Sequence, residues 1–395
     1  MLYEFWHNFT HNLFKPLLLF FYMGFLIPVL KIPFEFPYVL YQGLTLYLLL
    51  AIGWRGGEEL ATIDASSLGN VLGFIALGFI TNLVIGFLAY GLLSRMTKMR
   101  RIDRSTVAGY YGSDSAGTFA TCLGVLATLD IAFDAFMPVM LAVMEIPGCV
   151  VALVLVARLR ERGMDPLGNM PGEPGYNPVV PVKVVPATLT ATVPPTHKID
   201  AGPAVRKEVV GRAPAPTARV SGDLVREVLL NPGLYLLFGG IVIGLISRLQ
   251  GPDVIADGDH VFVTAFQGML CLFLLEMGMT ASRKLKDLRA AGRGLIAFGI
   301  LAPNLFAVMG ICIIHTYSFV TRTHFDLGSY VLFAVLCGAA SYIAVPAVQR
   351  IAIPEASPTV PLAASLGLTF SYNVTIGIPL YLQIASAVTG WLPVN

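Results

Sequence analysis

Charge is what this sequence has least of. Only 13% of its 395 residues are Asp, Glu, Lys or Arg, against 56% hydrophobic, whereas soluble domains carry about 25% charged residues. So little charge excludes a water-covered globule and points to an integral membrane protein with spans of roughly 20 apolar residues. The ten-residue alternation of a membrane barrel is also missing, so helices must satisfy the backbone. Cysteine is scarce: Cys122, Cys149, Cys271, Cys312 and Cys337 all lie in apolar runs, with no CxxC or His-Cys cluster. They read as small buried hydrophobes. The histidines His7, His11, His197, His260, His315 and His324 cluster nowhere. There is no Walker motif, no GxSxG and no HExxH, which excludes direct ATP drive and the familiar hydrolase centres. No metal site, no cofactor and no enzymatic activity is expected. The net charge of +2 gives no reason to expect a nucleic-acid partner. The first 14 residues lack a basic n-region, so no cleavable signal peptide is expected.

What is there is hydrophobic length. The chain reads as ten spans in two sets of five. The first set is 14–30, 37–54, 68–93, 105–129 and 133–157; the second is 232–249, 260–280, 294–318, 328–351 and 359–392. The last run is long for one helix, and a bend is expected at Gly377 and Pro379. The expected fold class is all-α, with the first five-helix repeat in 1–158, a linker in 159–231 and a second repeat in 232–395. Eleven of the 26 prolines fall in Pro166–Pro216, and such composition does not bury enough apolar area to order itself. The linker is therefore read as disordered or extended, with a short surface helix over 221–229 capped by Ser221. A small regulatory domain folded from it is the alternative.

Orientation follows from the basic loops. Arg95, Lys98, Arg100, Arg101 and Arg104 follow span 3; Arg158, Arg160 and Arg162 follow span 5; Arg283, Lys284, Lys286, Arg289 and Arg293 follow span 7. All follow odd-numbered spans, which puts them and the linker in the cytoplasm. The loops after even spans are acidic, with Glu58, Glu59 and Asp64, then Asp130 and Asp134, then Asp253, Asp257 and Asp259. Both termini are then outside, in the cell's inner membrane. Five is an odd number, so the second set enters the membrane from the opposite side, as an inverted repeat.

Each set contains one interrupted span. In the first, Gly112-Ser113-Asp114-Ser115-Ala116-Gly117-Thr118-Phe119 puts glycines, hydroxyls and a carboxylate where leucines belong. Its mirror is Gly338-Ala339-Ala340-Ser341-Tyr342-Ile343-Ala344-Val345-Pro346. Paired interrupted spans point to a transporter's binding site. Small residues alone would serve close helix packing. Asp114 would not, since a carboxylate at mid-membrane costs about 2.5–3.5 kcal/mol on insertion scales. Half-helix N-termini would offer N–H groups to an anion, and Asp114 with unwound carbonyls would hold a cation. The candidate substrate residues are Ser113, Ser115, Ala116, Gly117, Thr118, Ser341, Tyr342 and Ile343. The candidate sodium- or proton-coupling residues are Asp114, Glu145 and Asn373. Glu145 precedes the helix-breaking Ile146-Pro147-Gly148, and Asn373 sits beside Thr375 and Gly377. Glu276 lies near a span end, where an interfacial or structural role is expected. Pro346 is expected to free a carbonyl a turn earlier, near Tyr342, or else simply to kink a continuous helix.

At these stretches the sequence resembles the sodium-dependent bicarbonate transporter family known best from cyanobacteria. The resemblance rests on Gly56-Gly57, Ser115 to Thr118, the run Met-Leu-Ala-Val-Met-Glu-Ile-Pro-Gly-Cys-Val-Val from Met140, Met277-Gly278-Met279, and Ser341 to Pro361 with Arg350-Ile351-Ala352-Ile353-Pro354. It implies ten spans in a five-plus-five inverted repeat, a core domain moving against a gate domain, and a homotrimer. It also implies sodium-coupled bicarbonate uptake, with substrate held where the broken helices cross. In some members a PII-like protein binds the cytoplasmic side. The sequence departs from the family at Tyr342, where cyanobacterial members carry the acid; here the acid is Asp114, in the first element. The proline-rich linker departs as well. The expectation is a secondary active transporter importing bicarbonate with sodium. The alternatives are a proton- or sodium-coupled symporter of another small organic anion, or a membrane sensor signalling through the linker.

Overall fold

The computed structural model describes residues 15–62, 68–178, 232–287 and 292–394. The described residues are helical, with no strand among them. The first part holds α1 (Pro16–Val29), α2 (Tyr38–Leu60), α3 (Leu68–Met96), α4 (Arg101–Tyr111), α5 (Ala116–Leu129), α6 (Met137–Met144) and α7 (Ile146–Glu161). The second holds α8 (Pro232–Gln250), α9 (Pro252–Asp259), a π turn (His260–Thr264), α10 (Phe266–Asp287), α11 (Arg293–Thr321), α12 (Leu327–Gly338), α13 (Ala344–Ala352), α14 (Thr359–Leu362) and α15 (Ile378–Trp391). The π stretches Ala363–Phe370 and Asn373–Gly377 lie between α14 and α15. Among the described residues, six helical stretches are long and apolar enough to cross a membrane: Gly69–Met96, Met137–Glu161, Pro232–Gln250, Pro252–Leu285, Arg293–Thr321 and Thr359–Trp391.

Several expected boundaries move. The second span continues past Trp54 to Leu60. The acidic stretch before span 7 is helical, as α9, and runs through the π turn into α10. The long last run, expected to bend at Gly377 and Pro379, passes through two π stretches, the second of which ends at Gly377, with Pro379 in the first turn of α15. Pro346 lies in the first turn of α13, where its missing N–H has no intrahelical acceptor to lose. The chain before it is therefore fully unwound, not kinked. Cys312 is exposed on α11, unlike the buried Cys122, Cys149 and Cys337.

Glycine decides how closely the first helices approach the second set. On α2, Gly53 and Gly57 face Gly240 and Gly244 of α8. A side chain at Gly57 would overlap the Ile241 carbonyl, and one at Gly244 that of Trp54. This is the small-xxx-small spacing that lets membrane helices pack backbone to backbone. On α1 and α10 the same device uses Gly24 against the Leu275 carbonyl and Gly278 against that of Phe21.

The connections gather at two ends. At one, Gly294 packs on the Met96 carbonyl, and Arg160 Nη2 donates to the Ala352 carbonyl and to Glu355, both at 2.9 Å. At the other, the Trp54 indole donates to Asp259 at 3.0 Å, and the Gly328 N–H to the Ala132 carbonyl at 3.0 Å. Residues 162–178, expected as linker, are folded onto the first end. Asp165 accepts from the N–H groups of Leu167, Asn169 and Asn177 at 2.8–2.9 Å and from the Asn169 amide at 3.2 Å. Glu173 accepts from the N–H of Arg101 and of Met170. Met170 joins Ile102, Ala152, Val156, Leu159 and Ile353 in a small separate core. The rest of the linker, including 221–229 and any domain formed there, lies outside the described residues.

Candidate functional site

The first interruption lies between α4 and α5. Helix α4 ends at Gly112, whose N–H still reaches the Ala108 carbonyl. Ser115 turns extended and caps α5, its Oγ accepting from the Thr118 N–H at 3.3 Å and the Thr118 hydroxyl at 2.9 Å. Such a cap is the ordinary use of serine at a helix start. The second interruption, 339–343, lies between α12 and α13. The two meet directly: the Ser341 N–H donates to the Tyr110 carbonyl at 2.8 Å. Gly112 is pressed on Gly86 of α3, where a side chain would stand 2.8 Å from the Gly86 Cα. Gly148 of α7 packs on the Gly109 carbonyl and on Ser113.

Most of the hydroxyls predicted to bind substrate are used inside the protein. Ser113 donates to the Glu145 carbonyl at 2.8 Å, joining the first interruption to the α6–α7 junction. Ser115 and Thr118 bond to each other. Ser341 Oγ accepts from the Val345 N–H at 3.4 Å. Asn373 uses both ends of its amide: Nδ2 donates to the Gly338 carbonyl at 2.9 Å, and Oδ1 accepts from the Tyr381 hydroxyl at 2.8 Å. It thus holds the unwound end of α12. Glu276 accepts from the Thr280 hydroxyl at 2.7 Å, while its other oxygen has no partner.

Among the described residues, three of the side chains with a buried, unpartnered polar atom lie at or beside the interruptions. Asp114 is 0% exposed and neither of its carboxyl oxygens has a hydrogen-bond partner. Its neighbour Ser113 donates to the Glu145 carbonyl, and the Tyr110 carbonyl accepts from the Ser341 N–H, so Asp114 sits in the first interruption where that meets the second. A buried carboxyl without donors needs a proton or a cation to be tolerated. The Tyr342 hydroxyl lies beside Ser115 without forming a proper hydrogen bond to it. The third is Asn82, which the motif reading missed. Its Nδ2 donates to the Met144 carbonyl at 2.9 Å, and its Oδ1 is buried with no partner. The sequence signal was there: an asparagine in the middle of a 29-residue apolar helix. Among the described residues no group of three His, Cys, Asp or Glu converges as a transition-metal site would. A narrow cleft lined by Thr45, Leu48, Leu49 and Ile52 of α2 and by Phe273 of α10 reaches Ala116, Gly117 and Ile343. The latter three are predicted substrate residues; the α2 and α10 lining carries no motif.

Interrupted helices meeting around an unsatisfied buried acid, inside an apolar helical protein, define a membrane transporter rather than an enzyme. The Na+-dependent bicarbonate transporter superfamily matches the chain over residues 16–386, nearly its whole length, and the protein belongs to that superfamily. No curated protein matches the chain.

Proposed function

We propose that the protein is a secondary active transporter that couples sodium entry to bicarbonate uptake across the inner membrane. The observation that carries this reading is Asp114, fully buried at the helix crossing with both oxygens unspent. A sodium ion would satisfy it. Asn82 Oδ1 and Glu145 are the further oxygen donors we assign to that ion, and Asn373 holds the neighbouring α12 end in place. Bicarbonate would sit at the N-terminus of α5, over Ala116 and Gly117, whose N–H groups have no intrahelical acceptor. Moving an anion into a negative-inside cell is opposed by about 2.3 kcal/mol per charge per 100 mV, and one co-transported sodium cancels that cost.

The architecture we propose is ten spans in two inverted five-helix repeats. Helix pairing supports it: α1 lies along α10, and α2 along α8. Exchanging the two sets turns one pairing into the other, as an in-plane two-fold would. The segregation of basic connections to one end supports a cytoplasmic face there, with both termini outside. A homotrimer and a PII-like cytoplasmic partner are proposed on family membership alone.

The bare Asp114 carboxyl equally suits a proton, which keeps one second reading: proton-coupled symport of another small organic anion. Uptake of labelled bicarbonate into proteoliposomes, with sodium replaced by choline at fixed pH, tests the proposal. Accumulation only with sodium is expected. Accumulation in choline driven by a pH gradient would replace it with proton coupling, and none of any anion would favour a sensor.

A further inference from the structure

Among the unspent groups at the crossing, Tyr342 is the one that lies against the first turn of α5. It is 8% exposed, and its ring stands edge-on against Phe370, centroids 5.4 Å apart. Its hydroxyl has no partner and is driven against Gly117, so that any side chain there would overlap it. Gly117 is the second residue of α5. Ser115 takes the Thr118 N–H of that first turn, which leaves the N–H groups of Ala116 and Gly117 facing the interruption. The phenol thus lies against the first turn of α5, over the Gly117 Cα, without accepting either N–H. The cleft along α2 ends at the same two residues. An oxyanion arriving there meets the phenol packed on Gly117.

We propose that Tyr342 is a displaceable plug: in the unloaded protein its hydroxyl, packed on Gly117, closes the approach to the N-terminus of α5, and an entering oxyanion moves it aside and accepts its O–H hydrogen bond. The proposal rests on reading the crossing as an anion site. It explains why a hydroxyl is left unbonded in a buried place, a cost that only an incoming acceptor relieves. It also explains why position 117 is glycine. The plug admits ligands that offer an acceptor oxygen in exchange for the displaced phenol.

The test reads access rather than transport, so it stands apart from the identity of the cargo. In a Cys271→Ala, Cys312→Ala background, Ala116→Cys places a thiol on the cleft. Its reaction with a small methanethiosulfonate reagent is followed in proteoliposomes free of sodium and bicarbonate. Tyr342→Phe, which removes only the atom against Gly117, is expected to speed labelling about tenfold, the factor set by one modest contact. Tyr342→Ala should speed it further. Equal rates in all three proteins would overturn the plug; a rise with Tyr342→Ala but not Tyr342→Phe would overturn the role given to the hydroxyl. Gly117→Ala supplies the second measurement. Its added methyl should lower thermal stability, and Tyr342→Phe should restore it in the double variant. An unrelieved loss would mean that the hydroxyl does not rest there. Changed labelling together with absent bicarbonate uptake would uphold the plug and remove the proposed cargo.

Discussion

Two aspartates separate what is built to hold from what is built to bind. Asp165 is 3% exposed and Asp114 is 0% exposed. Around Asp165 the chain wraps three N–H groups and an amide. Around Asp114 it supplies no donor. Burial pushes the Asp165 carboxyl up, but the bonds from Asn177, Asn169 and Leu167 outweigh it and hold the group below the usual carboxylate value of 3.8. Asp165 is therefore complete without a ligand and serves to fold residues 162–178 onto α4. Asp114 is incomplete, and an incomplete buried acid is the better functional marker.

Replacing Asp114 should break that contrast most. Asp114→Asn keeps the shape and removes the charge that the proposed cation needs. The sodium concentration for half-maximal uptake should rise by at least about tenfold, the consequence of 1.4 kcal/mol of lost attraction. Under the proton reading the same variant exchanges bound substrate but stops net uptake. An unchanged sodium requirement in a well-folded variant would remove Asp114 from the ion site. Asn82→Ala comes next. It deletes one neutral donor and a bond to the Met144 carbonyl, so a rise of about three- to tenfold in the same quantity is expected, within the worth of one hydrogen bond. If thermal stability falls and the sodium requirement does not move, Asn82 only ties α3 to α6.

Asp165→Asn should act on stability instead. Its amide would face the N–H of Asn177, losing about 1–3 kcal/mol locally. Faster hydrogen exchange over 162–178 should show this, with the sodium requirement unaltered. The pH dependence has a definite sign. Because the folded carboxyl is held below 3.8, its contribution is complete above that value and fades as pH falls through the depressed one. Protection factors over 162–178, the intrinsic base-catalysed rate divided by the observed exchange rate, should thus be flat from pH 5 to 7 in the wild type. A change in protection within that interval would show that Asp165 is not what holds the segment.

The membrane class and the two interruptions were legible because they are written in composition and in runs of small residues. The satisfaction of individual groups was not. Ser113, Ser115, Ser341 and Asn373 look alike in sequence as site candidates, yet each already has a partner inside the protein. The partner of Ser113 lies 32 residues away and that of Asn373 lies 35 away, beyond any local pattern. Asn82 was hidden for the opposite reason: a lone polar residue in a long helix carries no motif. Proline content also misled at the start of the linker. Pro166, Pro171 and Pro174 stand among turns that Asp165 and Glu173 close, because proline limits helices but not hydrogen-bonded turns.

The smallest effect is expected where the sequence reading and the fold divide the linker differently. By composition alone, everything from Met170 to Pro216 is replaceable by a Gly/Ser spacer. The fold draws the line later. Met170 is 2% exposed and packs in the core formed with Ile102 and Ile353, and Glu173 holds the N–H of Arg101 at the start of α4. Arg100 adds a bond to the Leu167 carbonyl at 2.9 Å and a paired contact with Asp103, which in turn accepts from the Ser357 N–H at 3.0 Å. The segment up to residue 178 therefore braces the same end of both interrupted spans, at the start of α4 and just past α13. Replacing 179–216 with a spacer of sufficient reach should leave uptake unchanged at matched membrane levels. Extending the replacement back to Met170 should lower thermal stability and uptake together, since it empties the small core and frees α4. Equal uptake in both proteins would show that the brace is dispensable, and loss already with 179–216 would place a coupling element inside the proline-rich stretch.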